Sequence, residues 1–363
     1  MAHCFALVLA LIQVAVEVKP ADYDSRWVTA FDVDTPPATT PGFDDTTAYV
    51  PLKGGHLVAV DLDRGTIRWR LEAESAFTPA IGGGLVFTVS GPLIEARDAS
   101  TGATRWRATL PVGASGPLYF DTGWLLASTM AGDLAAFRAS DGHLVWRREL
   151  GAPLIGRPGP SLDRLFLPLA DNRLVSVMLT TGETVWELKL PAPIAGLLAL
   201  DEQVVFGTAA KRLTSVDVRR GRERWTRRLG GDLAGIPAAD EKRIYFASRD
   251  NMLNAVGRGS GNLRWKAELE SRPAGGPLTL TDALLMPLVS NKIIGFDAET
   301  GKQAVTATAA GEVGQQPYVR RGVRQTQPQL ITVSREGQLQ GFGRRYEPVP
   351  GPLSVLPGLP TVP

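Results

Sequence analysis

Cysteine is almost missing from this chain of 363 residues. The one thiol, Cys4, can close no internal disulfide, so cysteine usage marks no redox compartment. Histidine is as scarce. His3, His56 and His143 make no metal or triad signature by their spacing, and the last two fall in hairpin turns, where an imidazole is ordinarily solvated. There is no Gly-x-Ser-x-Gly, no phosphate-binding loop and no dinucleotide fingerprint. Acid pairs such as Asp44-Asp45 and Asp240-Glu241 sit in loops, and adjacency along a chain does not set two carboxylates across a substrate. Charge of one sign is not in excess either: 39 basic against 37 acidic residues leave no electrostatic footprint for nucleic acid. No apolar run reaches the roughly 20 residues of a membrane-spanning helix. Phe5–Val18, about 14 residues interrupted by Gln13 and Glu17, has instead the length of a signal-peptide core. Residues 1–20 therefore read as the leader of an exported protein, although no Lys or Arg precedes the run and no small-x-small cleavage site follows it. Cys4 stands before the apolar run, where a lipid-anchor cysteine would follow it.

A repeat is present instead. Val58–Trp69 (VAVDLDRGTIRW) reads as a short apolar strand, an Asp, a tight turn ending in Gly, and a Trp four residues on. Gly65, Gly102, Gly142, Gly182, Gly221 and Gly261 are followed at that spacing by Trp69, Trp106, Trp146, Trp186, Trp225 and Trp265. The Trp-to-Trp intervals are 37, 40, 40, 39 and 40 residues, and a seventh copy keeps Gly301 but places Val305 where the Trp would stand. A period near 40 in a β-rich chain is the mark of a propeller.

Trp27 lies 42 residues before Trp69 in a segment resembling the second half of a repeat, while Pro317–Phe342 resembles a first half and ends without a Gly-x-x-x-Trp. Joining the two gives eight four-stranded antiparallel blades. The last is built from Pro317–Tyr346 with Ser25–Asp32 outermost, which leaves no open sheet edge at the seam. A seven-bladed ring is the alternative. One all-β domain over 21–346 and an extended, mobile Pro-rich tail over 347–363 complete the expected organisation.

Within the motif, Gly supplies positive φ to a tight hairpin. Asp61, Asp98, Asp217 and Asp297, four residues earlier, can accept the turn's backbone N–H groups. Arg138, Met178 and Gly257 hold that place in other copies, so the carboxylates form no metal-binding ring. Six tryptophans at one register read as plates packed between blades; Trp124 stands outside the register. Inner strands are expected to open near Pro79, Pro117, Pro160, Gly196, Pro237, Pro277 and Pro317. The Gly-rich crossings Gly230–Gly235 and Gly275-Gly276 would then be open to a partner's backbone. One charged cluster stands out. Asp217–Arg228 carries Arg219, Arg220, Arg222, Arg224, Arg227 and Arg228, read either as a charged outer edge that deters strand pairing or as a patch facing an acidic partner or membrane headgroups.

The pattern in Glu95–Trp106 (EARDASTGATRW) and in FDAETGKQAV resembles the pyrroloquinoline-quinone-like propeller repeat over about Ser25–Phe342. Two branches share that fold, the quinoprotein dehydrogenases and the BamB-type propellers of outer-membrane protein assembly. The dehydrogenases carry a vicinal cysteine pair and long insertions supplying calcium ligands and a catalytic Asp. Here there is only Cys4, and the blades stay near 40 residues. The resemblance therefore implies a BamB-like, non-catalytic scaffold without cofactor or metal. It would be monomeric and exported to the periplasm or cell envelope, bind a protein or peptide at a propeller face, and touch the envelope membrane peripherally. A quinone- or small-ligand-binding propeller is the alternative implied by the other branch.

Overall fold

The computed structural model describes residues 23–32, 34–280, 283–321, 324, 327 and 329–345; the leader (1–20) and tail (347–363) lie outside them. The described strands pair into eight four-stranded antiparallel sheets, one per blade, and no helix occurs among the described residues. The ring is thus an eight-bladed propeller, and the seven-bladed alternative falls. Seven blades are meanders running from an inner to an outer strand in chain order. Blade one is Gly42–Phe43, Thr47–Leu52, His56–Asp61 and Ile67–Glu72. His56 is consequently the first residue of a strand rather than part of a turn.

The eighth blade closes the ring. The first described strand, β1 (Tyr23–Thr29), lies outermost and antiparallel to Leu339–Arg344, with Tyr23 opposite Arg344, Trp27 opposite Gly341 and Thr29 opposite Leu339. Arg320, buried at the inner edge of this blade, reaches into blade one. Its Nη1 is 2.9 Å from an Asp63 carboxylate oxygen, and its Nε donates to the Asp45 carbonyl at 2.9 Å. Phe43 and Tyr318 stack across the same seam at 4.4 Å.

Stacking each sheet between two others explains the hydrophobic pattern. The second strand of blade one, Thr47–Leu52, is buried at every position. Strands covered on both faces read as continuous apolar runs. Outer strands such as Ile67–Glu72 and Thr184–Lys189 alternate between half-buried and exposed residues, because only one side meets the neighbouring blade. Trp124 opens the strand Trp124–Ser128 and packs half-buried against the cluster around Leu165 and Val177.

Inner strands differ from the sequence expectation in one respect. Pro160 is the middle residue of Gly159–Ser161, Gly196 lies inside Ile194–Ala199, and Pro237 lies inside Leu233–Ala239. One edge of each inner strand faces the channel, so a missing N–H there removes no ladder bond. The glycines of blades five to seven serve the chain itself. A Cβ on Gly196 would strike the Gly235 carbonyl, and one on Gly235 would strike Gly276. The backbone approach that the Gly-rich crossings allow is therefore already taken up by neighbouring inner strands.

Antiparallel connectivity fixes what each end of the ring presents. Turns between the first and second strands, and between the third and fourth, emerge on one face, called here the turn face. Turns between the second and third strands, and the crossings from blade to blade, emerge on the other, the loop face.

Candidate docking face

The repeat residues gather on the turn face, and their geometry is structural. Each motif Gly has φ between 66 and 75°, and each carries the tryptophan ring of the preceding blade against its Cα. A Cβ on Gly142 would lie 2.5 Å from Trp106 Cε3, and one on Gly65 would lie 2.6 Å from Trp27 Cε3. Every ring also donates its Nε1–H into that next blade: Trp27 to the Leu62 carbonyl at 3.0 Å, Trp69 to Ala99 at 3.1 Å, Trp106 to Ala139 at 2.9 Å. Trp146, Trp186, Trp225 and Trp265 repeat the contact with Leu179, Val218, Arg258 and Ala298, their rings resting on Gly182, Gly221, Gly261 and Gly301. Gly102 meets both Trp69 and Leu71. Val305 stands alone because it faces blade eight, where two chain ends replace the turn; Tyr23 is buried in the same cluster.

The motif carboxylates cap their own turns. Asp98 Oδ1 accepts the N–H groups of Ser100 and Thr101 at 3.0 Å each, and Asp61, Asp217 and Asp297 do the same in their blades. The Ser100 hydroxyl, the Arg105 guanidinium and Thr101 together hold the Asp98 carboxyl well below the usual carboxylate range. At Asp61, burial pushes upward, but Arg68 and two backbone N–H groups outweigh it. These are satisfied anions, with no lone pair aimed at a substrate. Among the described residues no three His, Cys, Asp or Glu side chains stand close enough to hold a metal.

The six arginines do not form one patch. Arg219, Arg220 and Arg222 lie at the turn-face end of blade five, and Arg224 lies near Glu202 at 3.7 Å. Arg227 turns toward blade six and donates to the Gly261 carbonyl at 2.8 Å, while Arg228 sits at the opposite end of Glu223–Arg228. The run is thus divided between the turn and the far end of the strand, where Arg227 and Arg228 line one cavity with Arg212.

The central channel holds a cavity of about 460 Å³, walled by residues such as Pro41, Phe43, Pro79, Phe120 and Tyr318, with Arg157 as its one charged lining residue. A calcium-bound quinone, as the enzyme branch of the resemblance would imply, needs clustered carboxylate ligands. No carboxylate lines this cavity and no such cluster occurs among the described residues, so the residues do not fit that group.

The loop face is different in character. Val112, Met130 and Ile155 are 40, 67 and 42% exposed there, on the crossing into blade three, a turn of blade three and the crossing into blade four. They stand on firm backbone. Met130 N–H donates to the Gly113 carbonyl at 2.9 Å, Leu150 N–H donates to the Gly132 carbonyl at 2.9 Å, and Gly132 packs on Ala152. Single exposed apolar residues are ordinary; neighbouring ones carried on loops tied together are not. Sequence reasoning passed over all three, because apolar residues in crossings follow no strand period. Their setting among Pro, Gly and Ser was the available signal.

Known proteins agree with this architecture. The family described as outer membrane protein assembly factor BamB matches the chain over residues 90–232, 170–275 and 249–344. An outer membrane protein assembly factor BamB from Nitrosomonas eutropha is 28% identical over 162 residues, which is 42% of this chain and 39% of that protein. The chain thus matches less than half the length of this curated relative. Among solved structures, BamB from Moraxella catarrhalis superposes with a TM-score of 0.68 at 17% identity, over 88% of this chain and 99% of that one. Quinohemoprotein alcohol dehydrogenase from Comamonas testosteroni gives 0.67 at 13% identity, over 91% of this chain and 78% of that one. At such identities these two structures share the fold alone.

Proposed function

Because the chain belongs to the family of outer membrane protein assembly factor BamB, we propose that it is a protein-binding scaffold of the bacterial cell envelope, acting in outer-membrane protein assembly through its loop face. The observation that carries the reading is the exposed apolar arc of Val112, Met130 and Ile155. A rigid ring offers a partner preformed contacts at little ordering cost, and exposed apolar side chains, Met among them, supply adaptable contact area. The turn face, by contrast, spends its polar groups on its own turns.

Photo-crosslinkers placed at Met130 and Ile155, with a turn-face control at His143, test this in envelope preparations. Adducts from the loop-face positions to a component of outer-membrane assembly, absent from His143, are expected. Adducts from none of the three, or only from His143, would sink the reading.

A further inference from the structure

Repetition lets the protein serve as its own control. On the loop face, one residue in each of seven blades donates its backbone N–H to the crossing that enters the blade: Lys53 to Pro36, Met130 to Gly113, Ala170 to Pro153, Ala209 to Pro193, Arg249 to Asp232, Val289 to Arg272 and Arg335 to Glu312, all at 2.7–2.9 Å. The bond is main chain only, and alanine makes it in two blades. The fold therefore asks for no arginine there. Blades six and eight nevertheless carry Arg249 and Arg335 at this place, and the crossing into blade seven sets Arg272 between them.

All three guanidinium-bearing residues line one cavity of about 450 Å³. Its other walls include Pro273, Ala274, Val289 and Val313, and no carboxylate lines it. Arg335 Nη1 is 3.1 Å from Glu312 Oε1. Among the described residues the side chains of Arg249 and Arg272 have no ion pair or hydrogen bond. Nearby acids have other partners or none: Asp250 accepts the Ser248 hydroxyl at 2.5 Å, Glu270 holds Lys292 at 2.9 Å, and the buried Asp232 Oδ1 has no hydrogen-bond partner among the described residues. Glu312 offsets the charge of Arg335, whereas Arg249 and Arg272 face the same concavity with no carboxylate partner among the described residues, so their like charges repel.

We propose that this cavity is a carboxylate-binding subsite of the loop face, taking an acidic segment of the protein partner with two carboxylates flanking an apolar side chain. The planar guanidinium fork matches a carboxylate with two parallel hydrogen bonds, and the walls of Pro, Ala and Val suit the apolar residue between. A concave, partly apolar site fits a chain segment better than a flat plane of lipid headgroups. The same face presents Val112, Met130 and Ile155, so one partner laid across it meets both regions. The inference rests on the scaffold reading and gives that partner its chemistry.

A fluorescent peptide with a Glu-Leu-Glu core and its Gln-Leu-Gln counterpart, titrated with the full-length protein, provide the test. The acidic peptide should bind, more weakly as salt rises. R249A/R272A and the Gln peptide should each lose about tenfold, as expected for one charge-assisted bidentate pair. R220A/R222A, which removes the same charge from the turn face, should bind like the parent, and all variants should melt like it. Equal binding by R249A/R272A, or equal binding of the Gln peptide, overturns the site. So does binding of phosphatidylglycerol vesicles that depends on Arg249 and Arg272 without any binding of the acidic peptide. The two readings fail separately. Loop-face crosslinks without peptide binding sink this site alone, whereas peptide binding without crosslinks sinks the scaffold reading.

Discussion

Gly142 answers two demands at one Cα. Its φ of 74° is left-handed, and the Trp106 ring occupies the space a Cβ would need. Gly84 has a similar φ of 75° with nothing within 4 Å of a built Cβ. The pair separates backbone strain from blade packing. Gly84→Ala should cost about 1–2 kcal/mol, the price of a left-handed alanine. Gly142→Ala should cost about 1–3 kcal/mol more, since a rigid ring must move out of a filled interface. Urea titrations of the two variants check the difference; equal destabilisation would mean the Trp–Gly contact carries nothing. The Asp98 cap makes a second residue-scale prediction. Its pKa is lowered in the folded protein, so its contribution is fully present above the ordinary carboxylate value of 3.8 and fades as pH falls through the folded value. The stability gap between the parent and Asp98→Ala should therefore stay constant from about pH 7 to 5 and shrink below about pH 4. Denaturant melts across that range decide it; a gap that widens in acid contradicts the cap.

At the scale of elements, the seam between blades eight and one depends on β1. Trp27 lies on Gly65 and donates to Leu62, Thr29 donates its hydroxyl to the Gly65 carbonyl at 2.5 Å, and Arg345 pairs with Asp24 at 2.8 Å. Trp27→Ala should cost about 3 kcal/mol, the low end for a tryptophan because the ring is only half-buried. Deleting residues 23–32 should do more, exposing the edge of Leu339–Arg344 to aggregation. Light scattering and thermal melts test both, and an unchanged melting temperature for the deletion would refute the split blade. Much of this was legible in the sequence. The displaced Trp27 and the missing final Gly-x-x-x-Trp announced the seam, and the period gave the blade count. Which Gly meets which Trp was not legible, because the Gly four residues before each Trp is the nearer in sequence and only the stacking of blades lays the ring on the Gly of the next one. Val305 could not be explained without seeing that it packs in the cluster that also holds Tyr23 of β1. The loop-face arc and the cavity of Arg249, Arg272 and Arg335 were hidden for a related reason. Their residues come from different blades, and only ring closure brings them onto one face.

For the whole molecule, the question is whether the seam is special or merely one of eight equivalent places to cut. Each blade packs chiefly on its two neighbours, so stability is close to a sum of unit and interface contributions, and a ring opened at one interface loses that interface unless something holds it. In the natural chain the opening falls inside a blade, between its third and fourth strands, so cross-strand hydrogen bonds of one sheet bind the two ends together. Tyr23 and Arg344 already face each other in register, and a turn copied from Asp297–Lys302 can join them. Two permutants then differ only in where they are cut. Opening the chain between Thr180 and Thr181 splits blade four as blade eight is now split, with Thr184–Lys189 becoming the N-terminal strand. Opening it between Pro191 and Ala192 leaves every blade whole and the ring closed, with no strand pairing, by side-chain packing and side-chain hydrogen bonds such as Trp186 to Val218 between blades four and five. The first permutant should melt cooperatively near the parent, and the second should melt lower and more broadly, since its terminal blades can separate without breaking a sheet. Calorimetry on the pair reads the outcome. If the cut between blades proves as stable as the cut within one, the strand exchange at the seam contributes nothing to closure, and side-chain contacts alone hold the ring shut.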